Sequence, residues 1–418
     1  MRDLISSSNI KEKYRRTDSD WQRERKLSFE QVLIMILKGH KYPMQNSLNK
    51  FFQQINNLEN LPTASAYCQA RDKIQAKIFK EMSNKTVDDF YRLYESKTWK
   101  SRRLLGIDGS KINFCNTEEL RNKYKVMNNN NGDYVQGLSS FMYDVLNEIT
   151  LNAELDTIKA EKEFLFNEHI NFIEPTDILL LDRGYADYSV LSSLVTKNID
   201  FVIRFPISHS FKELEKFVLS TETDIVLSLK VTTRQETYVK ENNLNTEIKV
   251  RFVKVDLGDS IEILATSLID ESIEELKYLY GCRWGIEIYF DRLKNIFELE
   301  RFSSKKLNNI EQDFYGIFFL TNLESILIKD SQKILSEKTN SRDFGYKINH
   351  SVSYSAMMDY VVEIFFNSNL SEKQILKKLE ILFITNPIII RPNRKYERKK
   401  CSHARKLRVN LYEKRAIP

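Results

Sequence analysis

TDILLLDRGY, residues 176 to 185, sets four apolar residues in a row, Ile178 to Leu181, before an aspartate, an arginine and a glycine. A short continuous apolar run bounded by turn residues is the pattern of a strand buried on both faces. Asp182 then stands at the carboxyl end of that strand, the edge at which open α/β sheets place their ligands.

The flanking sequence extends this reading in both directions. Asp187 is positioned to cap a helix over 188–197, and IDFVIRF at 199–205 supplies another strand. Upstream, RRLLGIDGS at 102–110 is a second apolar run, read as a core strand that ends at Asp108. Residues 134–144 and 148–154 read as a strand pair around a turn at Asn147, and an amphipathic helix is expected over 157–171. Strand and helix alternating in this way predict an α/β core.

Regions of different texture surround the core. Residues 1–98 read as helical: Ser28 and Gln31 have capping-box spacing before an apolar run, and further helices are expected at 44–57, 63–74 and 76–94. Within them, TASAYCQARDKI at 63–74 is either the reading helix of a helix-turn-helix or part of a bundle that only packs. Residues 207–262 alternate with period two, as in Ile225, Leu227, Leu229 and Val231, and read as β-rich. Helix returns from 272 to about 298, with more near 309–329, 353–367 and 371–383. The division is therefore 1–98, 99–206, 207–262, 263–330 and 331–418.

Composition sets limits. The 418 residues are 42% hydrophobic and 29% charged, an ordinary globular balance. Apolar runs such as VLIMIL at 32–37 fall far short of the ~20 residues that span a bilayer, and the opening MRDLISSSNIKEKYRR is polar, so a cytoplasmic protein is expected. Cys68, Cys115, Cys282 and Cys401 have no metal-ligand or disulfide spacing. Of the net charge of +6, the stretch from Arg391 to Pro418 carries 11 Lys/Arg against 2 Asp/Glu, which leaves the rest of the chain negative. Such a tail, with Tyr396 and Tyr412 among its cations, is either a solvated extension or a polyanion contact.

YGCRWGIEIYFDRLK, residues 280 to 294, gathers Tyr280, Arg283, Glu287 and Lys294 within an arc of about 60° on an ideal helix. Each acid read alone has a structural explanation. Asp108-Gly109 is a turn dipeptide, Asp182 a cap, and Arg283 an i−4 partner of Glu287. Taken together, two strand-end aspartates and one helix glutamate form a set of hard oxygen donors suited to Mg²⁺. Two such metals are the apparatus of phosphodiester cleavage, with cationic neighbours to hold phosphate oxygens.

The spacing Y-x2-R-x3-E-x6-K, filled by Tyr280, Arg283, Glu287 and Lys294, resembles the Y-R-E-K signature of bacterial insertion-sequence transposases of the DDE class. IDGS at 107–110 and LLLDRGY at 179–185 resemble that group's two aspartate motifs, in the right order, as does Arg283-Trp284 before the glutamate. The resemblance implies a ribonuclease H-like core with a β-rich insertion, preceded by an all-helical N-terminal domain that recognises element ends and followed by C-terminal helices and the basic tail. It implies a polynucleotidyl transferase with endonuclease activity, in which catalytic Asp108, Asp182 and Glu287 bind two Mg²⁺ or Mn²⁺ ions and Tyr280, Arg283 and Lys294 bind DNA phosphates. Its implied partners are double-stranded DNA, both terminal inverted repeats and target, and a second copy of the chain in a synaptic homodimer, with no membrane. The alternatives are an inactive or domesticated DNA-binding relative and a ribonuclease H-like nuclease without strand joining. Relatives that form hairpins hold a flipped base with an aromatic residue, typically tryptophan, in the insertion. Trp21, Trp99 and Trp284 all lie outside 207–262, which leaves Phe211, Phe217, Tyr238 or Phe252.

Overall fold

Helix starts follow their capping residues. In the computed structural model, which describes residues 5, 7–23, 25–39, 43–129, 132–206, 211–233, 235–256, 261–366 and 370–391, the chain opens with α1 (Ser8–Tyr14), α2 (Phe29–Lys38), α3 (Met44–Gln54), α4 (Ala64–Arg71) and α5 (Lys77–Leu93). Ser28 and Gln31 form the reciprocal capping box of α2, and Thr63 accepts from the Ala66 N–H to start α4. Then come β1 (Leu104–Phe114), α6 (Glu118–Lys123), β2 (Lys125–Asn129), β3 (Gly132–Asp144), β4 (Ile149–Thr157), α7 (Glu161–Phe164), β5 (Ile178–Leu181), α8 (Tyr188–Thr196), β6 (Asp200–Phe205), α9 (Lys212–Leu219), β7 (Asp224–Lys230), α10 (Glu236–Glu241), β8 (Glu247–Asp256) and β9 (Ile261–Thr266). The chain continues with α11 (Ile273–Cys282), α12 (Trp284–Asn295), α13 (Leu307–Thr339), β10 (Gly345–Lys347), α14 (His350–Asp359), α15 (Val361–Phe365), α16 (Glu372–Thr385) and β11 (Ile388–Ile390).

Two compact units result: residues 1–94, 112–137 and 291–418 form one, and residues 95–111 and 138–290 the other. The first is built on α13, which runs 33 residues rather than the expected 309–329. Its Phe319 and Leu320 join Val32, Leu33, Phe51, Phe79 and Val361 in one buried core. The helix α4 is pinned by one face: Tyr67 and Arg71 are buried one turn apart, while Ser65, Ala66, Cys68 and Gln69 are exposed. Arg71 donates to Gln312 Oε1 at 2.8 Å, to the Asn309 carbonyl at 2.9 Å and to Asp313 Oδ1 at 2.8 Å.

The second unit holds the sheet. Strands pair in the order β2-β3-β1-β5-β6-β9-β8-β7, with β4 against β3 and with the end of β1, all of β2 and the start of β3 counted in the first unit. β5 runs parallel to β1 on one side and to β6 on the other, and all four of its residues are buried, as the apolar run requires. Asp187 caps α8, which connects β5 to β6. β3 and β4 flank residues 145–148, with Glu148 at φ 57 closing the turn. From 211 on, β7, β8 and β9 extend this same sheet past β6 in antiparallel pairs, with α9 and α10 among them. In β7, Ile225, Leu227 and Leu229 turn to the more covered face, as their alternation predicts.

The structure corrects several expectations. β1 does not stop at Asp108 but continues to Phe114, so Asp108-Gly109 lies within an extended strand and makes no turn. The helix expected over 157–171 is α7 followed by a π turn at Leu165–His169 and a 3-10 turn. That path puts the buried His169 within hydrogen-bond distance of Ser140 Oγ (2.9 Å) and Asn152 Nδ2 (3.1 Å). The helix expected from 272 to 298 breaks at Arg283 into α11 and α12, where glycines 281 and 285 weaken the helical backbone on either side. Cys68, Cys115 and Cys282 form no disulfide among the described residues. Cys401, Tyr396, Tyr412 and the basic tail after Arg391 lie outside the described residues. No described helix is long and apolar enough to cross a membrane.

Candidate active site

Register brings the first two acids together. β1 and β5 pair in parallel from Leu104 opposite Ile178 to Ile107 opposite Leu181. Asp108 and Asp182 are the next residue on each strand. Asp108 Oδ1 accepts from the Gly109 N–H at 2.8 Å, and Asp182 Oδ1 accepts from the Gly184 N–H at 2.8 Å as the cap of the 3-10 turn Arg183–Tyr185. Both carboxylates are half-buried.

Close packing of α12 brings the third. A Cβ on Gly106 of β1 would lie 3.4 Å from Ile286 Cβ, and one on Gly285 3.3 Å from Val145 Cβ, so the two glycines let helix and strands approach. Tyr289 stacks on Tyr143 of β3 with ring centroids 4.3 Å apart and receives a hydrogen bond from Thr150 of β4 at 2.6 Å, while Phe290 meets Phe141 edge to face. Glu287 lies in the first turn of the helix fixed by these contacts. The buried Arg283 donates to Glu287 Oε1 at 2.5 Å, and its guanidinium carbon lies 5.4 Å from the Tyr280 ring centroid. Tyr280, Arg283 and Glu287 are therefore one contact chain. Lys294, in the last turn of α12, belongs to the other unit, where its Nζ stands 4.0 Å from Glu300.

A fourth acid, missed in the sequence, joins this group. Glu161 opens α7, where an acid in a helix's first turn reads as an ordinary favourable charge. Burial pushes its carboxyl up to about 7, with further increments from Asp108 and Asp182 and an opposing pull from Lys111. Burial likewise raises Asp108 to about 6; the Gly109 N–H opposes this, Asp182 and Glu287 add to it, and Arg283 counters it. Tyr185 is wholly buried, its hydroxyl has no hydrogen-bond partner among the described residues, and Glu161, Asp108 and Asp182 all raise its pKa further.

Residues 99–323, more than half of the chain and the stretch that holds all of these acids, match the family described as Transposase DDE domain. The chain belongs to this family. No curated protein matches it. Among solved structures this DDE-family chain is similar to the NurA nuclease from Sulfolobus solfataricus, at 12% identity and a TM-score of 0.26 over 67% of this chain and 98% of that one. At that score the likeness carries neither fold nor function.

The family implies divalent metal, and the donor set suits one in chemistry. The acids are hard oxygen ligands, the charge of Asp182 adds to the raised pKa of both Asp108 and Glu161, and the Tyr185 hydroxyl beside them is an orphaned buried polar atom. Among the described residues no three His, Cys, Asp or Glu side chains stand together at metal-holding geometry. Glu287 is instead engaged by Arg283.

The raised Asp108 has a measurable consequence for the metal-free chain. Between its ordinary value of 3.8 and about 6 the native state binds more protons than the unfolded state, so this group's contribution to stability falls as pH rises through that window. Asp108→Asn, neutral at every pH, is expected to gain stability relative to wild type from pH 4 to 6 and to hold that gain above pH 6. Denaturant melts in chelator at pH 4, 5 and 7 check this. A relative stability that falls with pH contradicts it.

Proposed function

We propose that this chain is a DNA transposase that cuts the ends of its own insertion sequence and joins them to target DNA by two-metal phosphoryl transfer. The observation that carries the reading is the placement of Asp108 and Asp182 side by side where the β1–β5 pairing ends, with Glu287 on the helix packed against β1 through Gly106 and Ile286. The strand order β4-β3-β1-β5-β6, with β9-β8-β7 added at the edge, supports a ribonuclease H-like core carrying a β-rich insertion.

In this reading Asp108, Asp182 and Glu287 would hold two Mg²⁺ or Mn²⁺ ions, whose charge would supply activation of the attacking oxygen and stabilisation of the leaving one. Water adds to the phosphorus at the element boundary, the bond from phosphorus to O3′ breaks, and a 3′-hydroxyl is left. That hydroxyl then attacks a phosphodiester of the target, one bond forming as one breaks, so no nucleotide is hydrolysed. Arg283 orients Glu287 through its ion pair, and with Tyr280 and Lys294 it holds phosphate oxygens of the scissile end.

The helical N-terminal region recognises element ends, with the exposed Ser65, Ala66 and Gln69 face of α4 turned to DNA. The basic tail adds phosphate contacts, and two copies of the chain act in the synaptic complex of a bacterial cytoplasm. Of the four aromatic candidates for a flipped base, Phe211, Phe217 and Phe252 are buried, whereas Tyr238 is 37% exposed on a cavity of about 620 Å³ that Phe166 also lines. Tyr238 is therefore the residue assigned to that role.

Supercoiled plasmids with and without the terminal repeats that flank this gene test the reading. Cleavage confined to the repeat-bearing plasmid, followed by joining to a second DNA, is expected. Equal cleavage of both plasmids with no joined product would identify a general nuclease instead.

A further inference from the structure

We infer that Glu161 is a fourth cation-facing carboxylate of the acidic site, set there by two glycines that leave it room. This rests on the reading of Asp108, Asp182 and Glu287 as the metal-holding acids.

The geometry is specific. A Cβ added to Gly109 would come within 3.0 Å of Glu161 Oε1 and 3.2 Å of its Cδ, and one added to Gly184 would lie 3.5 Å from Oε2. These are the same two glycines whose N–H groups orient the aspartates: Gly109 donates to Asp108 and Gly184 to Asp182. The Glu161 carboxylate therefore sits against the glycine that follows Asp108 and the glycine that caps onto Asp182 at once. The side chains beside it on α7 have other tasks. Lys162 pairs with Asp187 at 3.1 Å, and Glu163 accepts from the Ala160 N–H at 3.4 Å.

Glu161 has no such task. Among the described residues its carboxylate receives no hydrogen bond and forms no ion pair, and Lys111 is the one cation that acts on it electrostatically. A half-buried carboxylate facing two others without a donor is costly unless a cation sits among them. The unpartnered, fully buried Tyr185 hydroxyl, coupled to the same three acids, is an independent sign that these side chains are arranged around something beyond themselves. An unpaired acid placed against Gly109 and Gly184, beside both aspartates, raises the negative charge available to a divalent ion, so its loss weakens metal binding before it affects DNA.

The test uses the full chain without DNA and Mn²⁺ as the probe, with free ion followed by electron paramagnetic resonance. Glu161→Gln is expected to weaken Mn²⁺ binding by at least about tenfold, the scale on which groups around a metal act. It should raise the Mn²⁺ concentration needed for half-maximal cleavage and leave binding of the repeat duplex unchanged. Glu161→Asp should fall between the two. Gly109→Ala, which crowds the same carboxylate from the other side, should repeat the effect and keeps the idea testable if Glu161→Gln folds poorly. Wild-type Mn²⁺ binding and metal dependence in both Glu161→Gln and Gly109→Ala, with binding lost in Asp108→Asn, would overturn the inference and leave the three-acid reading standing. Unchanged binding in Asp108→Asn as well would overturn both.

Discussion

Asp108→Asn and Asp182→Asn are each expected to lower strand cleavage by at least about a thousandfold, the several kcal/mol that charge stabilisation by bound metal supplies. Both aspartates sit at the end of a buried parallel pairing, each held by one backbone N–H at 2.8 Å, so the substitutions remove charge with little demand on packing. Affinity for the terminal repeats should stay at the wild-type level, because phosphate and base contacts carry it. Rates come from single-turnover cleavage of a labelled duplex and affinity from a gel-shift titration of the same duplex. Loss of affinity in step with cleavage would move these residues from chemistry to binding or folding.

The second large effect is structural. Arg71→Ala is expected to cost about 3–5 kcal/mol, the scale for removing one partner of a buried ion pair. Arg71 is 3% exposed and Asp313 15%, and the guanidinium also serves Gln312, Ser303 and the Asn309 carbonyl, so alanine strands several polar groups at once. Arg71→Lys should recover only part of the loss, since an ammonium cannot reproduce a planar fork that reaches four residues. Because Arg71 is the last residue of α4, its loss also loosens the helix assigned to DNA ends, and end binding should weaken at temperatures where the core remains folded. Urea melts followed by circular dichroism give the cost. A difference within 1 kcal/mol, the value of an exposed pair, would mean that this network is not what fastens α4 to α13.

Much of this architecture is readable in the residues. ILLL followed by aspartate fixes a buried strand with an acid at its end, and Asp187 starts the next helix because its side chain satisfies the Ser189 N–H. Ser28 and Gln31 work the same way at α2. What escaped the sequence is what depends on tertiary contact. Asp108-Gly109 has the composition of a turn, yet β1 continues through it because its next residues are held in the sheet. Glu161, between alanine and lysine at a helix start, looks like any solvated acid; only the fold sets it against Gly109 and Gly184. The break at Arg283 follows from Gly281 and Gly285, and the other use of Gly285, the approach of α12 to Val145, cannot be seen in a helical wheel. The 33 residues of α13 exceed the expectation because its last turns are covered by Ile375, Leu379 and Phe383, distant in sequence.

Metal-dependent DNA strand transfer by this chain is proposed to depend on Glu287 together with the two aspartates. Its most direct test is cleavage of a labelled duplex carrying the inverted repeats that flank this gene, in Mg²⁺ or Mn²⁺, by wild type and Glu287→Ala side by side. The expected result is a cut at the element boundary that exposes a 3′-hydroxyl, needs the metal and vanishes in Glu287→Ala while the repeats stay bound. Cleavage that persists in Glu287→Ala, or tight binding of the repeats by wild type with no cut in either metal, would contradict it.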